Sequence, residues 1–246
     1  MKVLLTRPKG KNEGLANQLQ AVGIASVCQP LMTVSALAPS LEADTRIQQA
    51  DIVIFISVNA VNYATTALFE AISPSAQVFA IGSATQQQLH QRGIDALCPP
   101  EFEQHSEGLL SLSQFHDLTG QRVVIVRGKG GREFLAEQAQ KRGAEVYYTE
   151  IYQRLKPKLD ADICVAEWEL QNIDTVIVTS GEIFTNLLTL MTNADGEWLK
   201  QCQLIVVSER IEAMARSNGF AKVVNAGGAS DIALLETCIL LHQGSS

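Results

Sequence analysis

The chain has 246 residues, of which 46% are hydrophobic and 18% charged, and its formal net charge is −7. This composition is typical of a globular protein, and the length allows one large domain or two small ones. The negative charge argues against a general nucleic-acid-binding protein, and no apolar run reaches the roughly 20 residues that span a bilayer. An anionic small-molecule ligand remains compatible with this charge, because arginines and helix N-termini bind anions locally.

The five cysteines are odd in number and far apart, which argues against a disulfide framework and against a CxxC metal or redox site. The N-terminus leads directly from Met1 and Lys2 into a strand-like segment, with no cleavable signal pattern. Both observations predict a protein of the reducing cytoplasm.

Short runs rich in Val, Ile and Leu, separated by segments with helical spacing, recur along the whole chain. In chain order the predicted strands are 2–6, 25–28, 52–56, 77–81, 122–126, 145–149, 174–179, 203–207 and 222–225. Such runs are typical of strands buried on both faces of a parallel sheet. Gly23, Gly93, Gly143 and Gly219 stand where the intervening helices should end. The pattern predicts an α/β fold with two open parallel sheets flanked by helices.

Three segments of the first half return in the second half, about 120 residues later. The pairs are 2–7 with 122–127, 51–57 with 174–180, and 77–83 with 203–208. This duplication predicts two similar lobes that face each other, and a cleft between them as the first candidate site.

Two extended segments at equivalent places, 30–36 and 150–157, interrupt the βα pattern. We interpret them as the two antiparallel strands of a linker that joins the lobes. The alternative is that they are only edge strands of a single sheet.

Several predicted strands end in a small hydroxylated residue or glycine, followed by a helix. These strand ends contain Ser57 and Asn59; Gly82, Ser83 and Thr85; Thr179, Ser180 and Gly181; and Ser208. At the carboxyl edge of a parallel sheet such groups suit carboxylates or phosphates. Ser, Thr and Asn are also ordinary helix N-caps, so each residue taken alone has a structural explanation.

Arg7 and Arg127 occupy the same place in the two halves, just after a buried strand. Each could bind a carboxylate with its guanidinium fork, or pair with a neighbouring acid of the chain itself. Lys129 and Arg132 add positive charge near Arg127. Tyr152 lies on a predicted linker strand, where it either faces the cleft or packs.

The common cofactor and metal motifs are absent. The four histidines lack metal-ligand spacing, and residues 128–131 fit neither the phosphate-loop nor the dinucleotide-binding pattern. The sequence therefore predicts no metal site and no cofactor.

The ordered series of these clusters resembles the uroporphyrinogen-III synthase family over essentially the whole chain. The segments that carry the resemblance are 5–8, 56–61, 80–85, 106–110, 126–128 with 131–132, 150–152 and 178–180. The resemblance implies two α/β lobes with parallel sheets flanked by helices, joined by a two-stranded antiparallel linker. One lobe would combine 1–31 with 157–246, the other would span 36–150, and 30–36 and 150–157 would be the linker strands.

The resemblance also implies the activity, a lyase reaction of tetrapyrrole (haem and sirohaem) biosynthesis. The substrate would be hydroxymethylbilane, a linear tetrapyrrole with eight carboxylates, cyclised to uroporphyrinogen III with loss of water and inversion of ring D. Tyr152 matches the family's candidate catalytic position. The predicted substrate contacts are Arg7, Ser57, Asn59, Gly82, Ser83, Thr85, Arg127, Gly128, Arg132, Thr179, Ser180, Gly181 and Ser208. The implied protein is a monomer without cofactor, with a possible transient contact to the upstream bilane-forming enzyme.

Two other functions fit parts of the pattern. A non-enzymatic two-lobed cytosolic binding protein for an anionic metabolite would show the same duplication and the same anion-binding strand ends. A nucleotide-sugar transferase with two Rossmann-like lobes is weakened by the absence of an acidic metal or diphosphate motif.

Overall fold

A computed structural model describes residues 1–38 and 41–244. Residues 39–40 of the predicted second lobe and 245–246 of the first lie outside it. Within this part the strands are β1 (Lys2–Leu5), β2 (Ala25–Cys28), β3 (Thr33–Ala36), β4 (Ile52–Phe55), β5 (Gln77–Ala80), β6 (Arg122–Gly128), β7 (Glu145–Leu155), β8 (Thr175–Val178), β9 (Gln203–Val206) and β10 (Lys222–Asn225). The α-helices are α1 (Glu13–Ala21), α2 (Leu41–Gln48), α3 (Val58–Asn62), α4 (Thr66–Glu70), α5 (Ser83–His90), α6 (Ser106–Ser111), α7 (Phe134–Lys141), α8 (Ala161–Leu170), α9 (Gly181–Asn193), α10 (Glu209–Ser217) and α11 (Asp231–Gln243).

The chain divides into two compact units. One, here called the split unit, combines Met1–Thr33 with Leu155–Ser246, and the other, the continuous unit, is Val34–Arg154. None of the helices within the described ranges is long and apolar enough to cross a membrane.

The split unit contains a five-stranded sheet in the order β2-β1-β8-β9-β10, and every neighbouring pair is parallel. Alternate residues of β1 enter different apolar clusters, because successive side chains of a strand point to opposite faces. Leu4 packs with Trp168 of α8 and Phe184 of α9, whereas Val3 packs with Leu15 of α1 and Leu234 of α11. Both faces of the sheet are therefore covered by helices, as the uninterrupted apolar runs predicted.

The continuous unit contains the second five-stranded sheet, in the order β3-β7-β6-β4-β5. The pairs β7–β6, β6–β4 and β4–β5 are parallel. Phe55 faces a cluster that includes Leu68 of α4 and Leu89 of α5, while Ile54 faces one that includes Leu109 of α6 and Leu135 of α7. The α/β class with two parallel sheets flanked by helices is confirmed.

The two predicted linker segments differ from the structure in their extent. β7 is one strand of 11 residues, whereas the sequence predicted a strand over 145–149 and a separate linker from 150. No Gly or Pro interrupts residues 145–155, and β-branched and aromatic residues are frequent in them, so the strand continues. β3 lies at the edge of the same sheet, next to β7. The Leu37 N–H donates to the Ile151 carbonyl at 2.9 Å, and Thr33 Oγ1 to the Leu155 carbonyl at 3.2 Å, so β3 and β7 run in opposite directions.

The internal duplication is visible in the strand orders. The series β2-β1-β8-β9 of the split unit corresponds to β7-β6-β4-β5 of the continuous unit. Each sheet therefore takes strands from both halves of the sequence. A parallel bridge between Phe79 and Leu97 stands beside β5 where β10 stands beside β9.

Candidate active site

A β-bulge near the end of β7 determines the direction of Tyr152. Arg127 of β6 is paired with Glu150, but the next residue, Gly128, is paired with Tyr152, so Ile151 is one extra residue. Along a regular strand Tyr148 and Tyr152 would point to the same face. Instead, Tyr148 packs with the cluster of Ile54, and Tyr152 with the cluster of Phe55.

Tyr152 is held on three sides within the continuous unit. The residue is only 6% exposed, and its ring centroid lies 5.6 Å from that of Tyr63. A Cβ atom on Gly128 would lie 2.4 Å from Cε2 of the Tyr152 ring, so only glycine fits at this position. The main-chain carbonyl of Tyr152 accepts a hydrogen bond of 2.7 Å from the Lys129 N–H.

The hydroxyl of Tyr152 lies 3.1 Å from Ser57 Oγ. Ser57 follows β4 and is the N-cap residue of α3, where its Oγ accepts a hydrogen bond of 3.0 Å from the Ala60 N–H. The sequence allowed both interpretations of Ser57, as cap and as site residue. The structure shows the cap and adds a contact with the predicted catalytic tyrosine.

A pocket of about 440 Å³ opens beside Tyr152, and all of its lining residues belong to the continuous unit. Five of the predicted site residues line it, namely Ser57, Arg127, Gly128, Arg132 and Tyr152. Ser106, Tyr148 and Arg154 supply further polar groups, and Ile56, Ile81, Ile125, Leu135 and Ala136 supply apolar surface. A pocket with this lining can bind an anionic ligand that also has apolar parts.

Arg127 is 2% exposed, and its N–H groups are used inside the protein. Nε donates to the Gly128 carbonyl at 3.2 Å, Nη2 donates to the Gly130 carbonyl, and Nη1 pairs with Glu133 Oε1 at 3.2 Å. The guanidinium carbon also lies 4.5 Å from the ring centroid of Tyr148. Arg127 therefore holds the segment that follows β6, and of the two alternatives for this residue the structural pairing is the one observed.

Glu133 and Tyr148 complete this arrangement, and neither was predicted from the sequence. The Tyr148 hydroxyl donates to Glu133 Oε2. Burial, and then the hydrogen bond to the Glu133 carboxylate, raise the pKa of Tyr148 to about 12. The Tyr148 hydroxyl is thus used in a hydrogen bond to Glu133. Tyr152, on the same strand, has no such bond to a carboxylate among the described residues.

The start of α5 does not contribute to this pocket. Gln104 Oε1 accepts hydrogen bonds from Ser83 N at 3.0 Å and from Ser83 Oγ at 3.1 Å, and a Cβ on Gly82 would lie 2.8 Å from the same oxygen. Thr85 is 3% exposed, so its side chain is inside the unit. Asn59, half-buried on α3, does not line the pocket either.

In the split unit, Arg7 follows β1 and forms an ion pair with Asp231, with 2.7 Å between Nη1 and Oδ1. Arg7 is 9% exposed, and its Nε and Nη2 are buried without a hydrogen-bond partner in the described part of the chain. Its guanidinium is therefore partly used by the protein, in contrast to the fuller use at Arg127.

The other predicted residues of the split unit stand at the starts of α9 and α10. Ser180 Oγ accepts a hydrogen bond of 3.2 Å from the Ile183 N–H, so it caps α9. Ser208 is the N-cap residue of α10 without a side-chain capping bond. A Cβ on Gly181 would lie 2.9 Å from Nη1 of Arg210, which places this guanidinium over the first residue of α9. Arg210 was not among the predicted site residues, because an arginine at a helix start carries no specific sequence signal.

Comparison with known proteins decides the family. The sequence matches the family model described as uroporphyrinogen-III synthase HemD over residues 13–236, which is most of the chain. The chain belongs to the uroporphyrinogen-III synthase family.

Two relatives of this family match the chain over nearly its whole length. The uroporphyrinogen-III synthase of Salmonella typhimurium (strain LT2) is 35% identical over 245 residues, covering 96% of this chain and 98% of the relative. That of Escherichia coli (strain K12) is 33% identical over 245 residues, with the same coverage.

Two solved structures of the uroporphyrinogen-III synthase family share the fold. A mutant enzyme from the extremely thermophilic bacterium Thermus thermophilus has a TM-score of 0.62 at 16% identity, and the alignment covers 99% of both chains. The enzyme from Helicobacter pylori 26695 has a TM-score of 0.60 at 15% identity, covering 98% of this chain and 99% of that one. At these identities the structures support the fold alone.

For this member of the uroporphyrinogen-III synthase family, the predicted site residues fall into three groups. Those that surround or line the pocket are Ser57, Arg127, Gly128, Arg132 and Tyr152. Those at the carboxyl edge of the split unit's sheet are Arg7, Thr179, Ser180, Gly181 and Ser208. Those of the continuous unit that do not line the pocket are Asn59, Gly82, Ser83 and Thr85. Within the described ranges, no group of three or more His, Cys, Asp or Glu residues is placed to hold a metal ion.

Proposed function

We propose that this protein is a lyase that cyclises hydroxymethylbilane to uroporphyrinogen III, with loss of one water and inversion of ring D. The observation that carries the proposal is the match to uroporphyrinogen-III synthases over 96% of the chain at up to 35% identity. A binding protein without activity is not favoured by any of these relatives. The tyrosine at the candidate catalytic position supports the enzyme, because its side chain borders the pocket.

The chemistry begins with departure of the hydroxyl from the hydroxymethyl carbon on ring A, which leaves an azafulvene-like cation. A phenol is a weak acid near neutral pH, so Tyr152 assists by hydrogen bonding to the oxygen as the C–O bond breaks. The cation attacks the substituted carbon of ring D, and the spiro intermediate opens and recloses with ring D inverted. The proton that ring D loses at the final closure balances the departing hydroxide, so the net loss is one water.

The substrate's carboxylates need positive charge and N–H groups. In the continuous unit, Arg132 suits this role best, because it lines the pocket and is exposed. Arg127 instead shapes the pocket. In the split unit, Thr179, Ser180, Gly181 and Ser208 offer hydroxyls and backbone N–H groups at the starts of α9 and α10. Each unit would then bind carboxylates at the carboxyl edge of its own sheet.

The conformational demand is as important as proton donation. The bilane closes without inversion when no enzyme is present, so the protein must favour attack at the crowded carbon of ring D. Binding several carboxylates at fixed positions supplies this orientation, because the bound bilane loses the conformational freedom that closure without inversion requires.

We also propose that the protein acts as a monomer in the cytoplasm, with a transient contact to the bilane-forming enzyme that supplies its unstable substrate. The five cysteines, all free thiols, support a reducing compartment.

The decisive experiment is a coupled assay in which a bilane-forming enzyme generates hydroxymethylbilane in the presence of the protein. After oxidation, the type I and type III uroporphyrins are separated and quantified. We expect type III product in proportion to the protein added and type I without it. Persistence of type I alone, with folded protein, would exclude the synthase and leave the binding protein.

A further inference from the structure

We infer that Ser57 is a positioning residue for Tyr152 and not a contact for a substrate carboxylate. Its hydroxyl donates to the Tyr152 oxygen, which directs the phenolic hydrogen toward the pocket and the leaving hydroxyl of the substrate. The inference rests on the proposed synthase activity and assigns a role within the same site.

The distance between the two hydroxyls fits either direction of the hydrogen bond, and the inferred direction follows from the role proposed for Tyr152. A serine hydroxyl has one hydrogen and two lone pairs. Ser57 Oγ already accepts the Ala60 N–H at 3.0 Å, and its other partner in the described part of the chain is the Tyr152 hydroxyl at 3.1 Å. If Tyr152 donated to Ser57, its hydrogen would not be available to the leaving hydroxyl of the substrate. If Ser57 donates, its Oγ accepts one hydrogen bond and donates the other, and the hydrogen of Tyr152 remains for a ligand.

The ring of Tyr152 has little freedom, so the orientation of its hydroxyl hydrogen is what remains to be set. The ring lies so close to Gly128 that any side chain at position 128 would clash with it, and Tyr63 packs against the ring. The main-chain bond from Lys129 fixes the backbone of Tyr152 beside the bulge. Only rotation about the phenolic C–O bond stays free. The inferred hydrogen bond from Ser57 Oγ, at 3.1 Å, sets this rotation.

The resulting chain of hydrogen bonds runs in one direction. The Ala60 N–H donates to Ser57, Ser57 donates to Tyr152, and Tyr152 donates to the substrate. Hydrogen bonds aligned in this way polarise one another. As the C–O bond of the substrate breaks, the bond from Ser57 stabilises the negative charge that grows on the Tyr152 oxygen. Because this help is greatest in the transition state, Ser57 acts on kcat more than on KM.

The kinetic test compares Ser57→Ala, Ser57→Thr and the control Thr65→Ala. Thr65 caps the neighbouring five-residue helix α4 by accepting the Leu68 N–H at 3.2 Å, so its variant loses a similar cap but no tyrosine contact. We expect Ser57→Ala to lower kcat about tenfold with KM nearly constant, from the loss of one oriented hydrogen bond. Ser57→Thr, which keeps the hydroxyl, should recover most of kcat, and Thr65→Ala should match the parent. A higher KM at unchanged kcat in Ser57→Ala would overturn the inference in favour of a substrate contact.

A spectroscopic measurement tests the same inference without any activity. The ultraviolet resonance Raman spectrum of the parent minus that of Tyr152→Phe isolates Tyr152, and its tyrosine Fermi doublet distinguishes a phenol that accepts a hydrogen bond from one that donates. We expect this doublet to lose acceptor character when the same difference spectrum is measured in the Ser57→Ala background, and a loss of donor character there would overturn the inference. If this loss of acceptor character is found in a protein that makes no type III product, the proposed function fails while the hydrogen-bond direction stands.

Discussion

Arg7 and Asp231, 224 positions apart, form an ion pair that connects the end of β1 to the first turn of α11. The arginine is only 9% exposed, while the side chain of the acid is 33% exposed. The pair therefore joins the two chain segments from which the split unit is assembled. The ion pair contributes to the free energy of unfolding because Asp231 compensates the charge of a buried guanidinium. Removal of the acid would leave that charge without a partner.

We expect Asp231→Ala to lower the free energy of unfolding by about 1.5–3 kcal/mol, less than for a fully buried pair because the acid is partly solvated. Asp231→Asn should fall between Ala and the parent, since an amide oxygen still accepts from Arg7. Denaturant titration measures both. Glu236→Ala, an exposed acid on the same helix, is the control and should change stability by less than about 0.5 kcal/mol. If Asp231→Ala and Glu236→Ala changed the free energy of unfolding equally, the ion pair would not contribute to stability.

Tyr152→Phe should lower kcat by about 100-fold with a much smaller change in KM, because the hydroxyl is required only as the C–O bond breaks. The ring remains, so packing against Gly128 is preserved. Tyr147→Phe removes a phenolic hydroxyl from the same strand, outside the pocket, and should leave the rate unchanged. Rates of Tyr152→Phe within about twofold of the parent in the coupled assay would remove Tyr152 from the catalytic role.

Gly128→Ala should reduce both activity and stability. The new methyl group would lie 2.4 Å from the Tyr152 ring, so the ring must move, which disturbs its contact with Ser57. Overpacking of this kind typically costs about 1–3 kcal/mol. Gly228→Ala is a matched control, because the nearest atom to its Cβ is 4.0 Å away. Thermal unfolding and the coupled assay report the two effects. Full activity of Gly128→Ala would mean that the orientation of Tyr152 tolerates displacement.

The raised pKa of Tyr148 predicts a loss of stability at alkaline pH. The folded protein holds this pKa at about 12, above the ordinary value of 10.0, so the neutral form is favoured on folding. The contribution is complete below about pH 10 and is lost as the pH rises toward about 12. Burial also raises the pKa values of Cys202 and Cys238 from 9.0 to about 11, which adds a loss of stability that begins about one pH unit lower.

Comparison of the parent with Tyr148→Phe isolates the tyrosine. Unfolding free energies measured from about pH 9 to about pH 12 should fall less steeply in the variant, and the difference between the two proteins should shrink as the pH rises. Parallel curves would show that Tyr148 ionises in the folded protein as it does in the unfolded chain.

Local signals in the sequence were sufficient to predict the elements and the class of this protein. Runs such as Val3 to Leu5 and Ile52 to Phe55 are apolar at every position, which suits only strands covered on both faces, and they are buried in the structure. Nearly all predicted strand starts are correct, because strand composition and helix-ending glycines are local signals. Hydroxyl residues at strand ends were recognised for the same reason.

Which groups are available for function depends on contacts between distant parts of the chain. Arg7 and Arg127 look equivalent in sequence, yet one pairs with a distant acid and the other is used by its own following segment. The bulge that turns Tyr152 toward Ser57 arises from the register between β6 and β7, and register depends on pairing between distant segments. For the same reason, only the tertiary structure shows how the two halves of the duplicated sequence are shared between the two sheets. Local composition specifies a strand, but its neighbours are set by hydrogen bonds and packing across the whole chain.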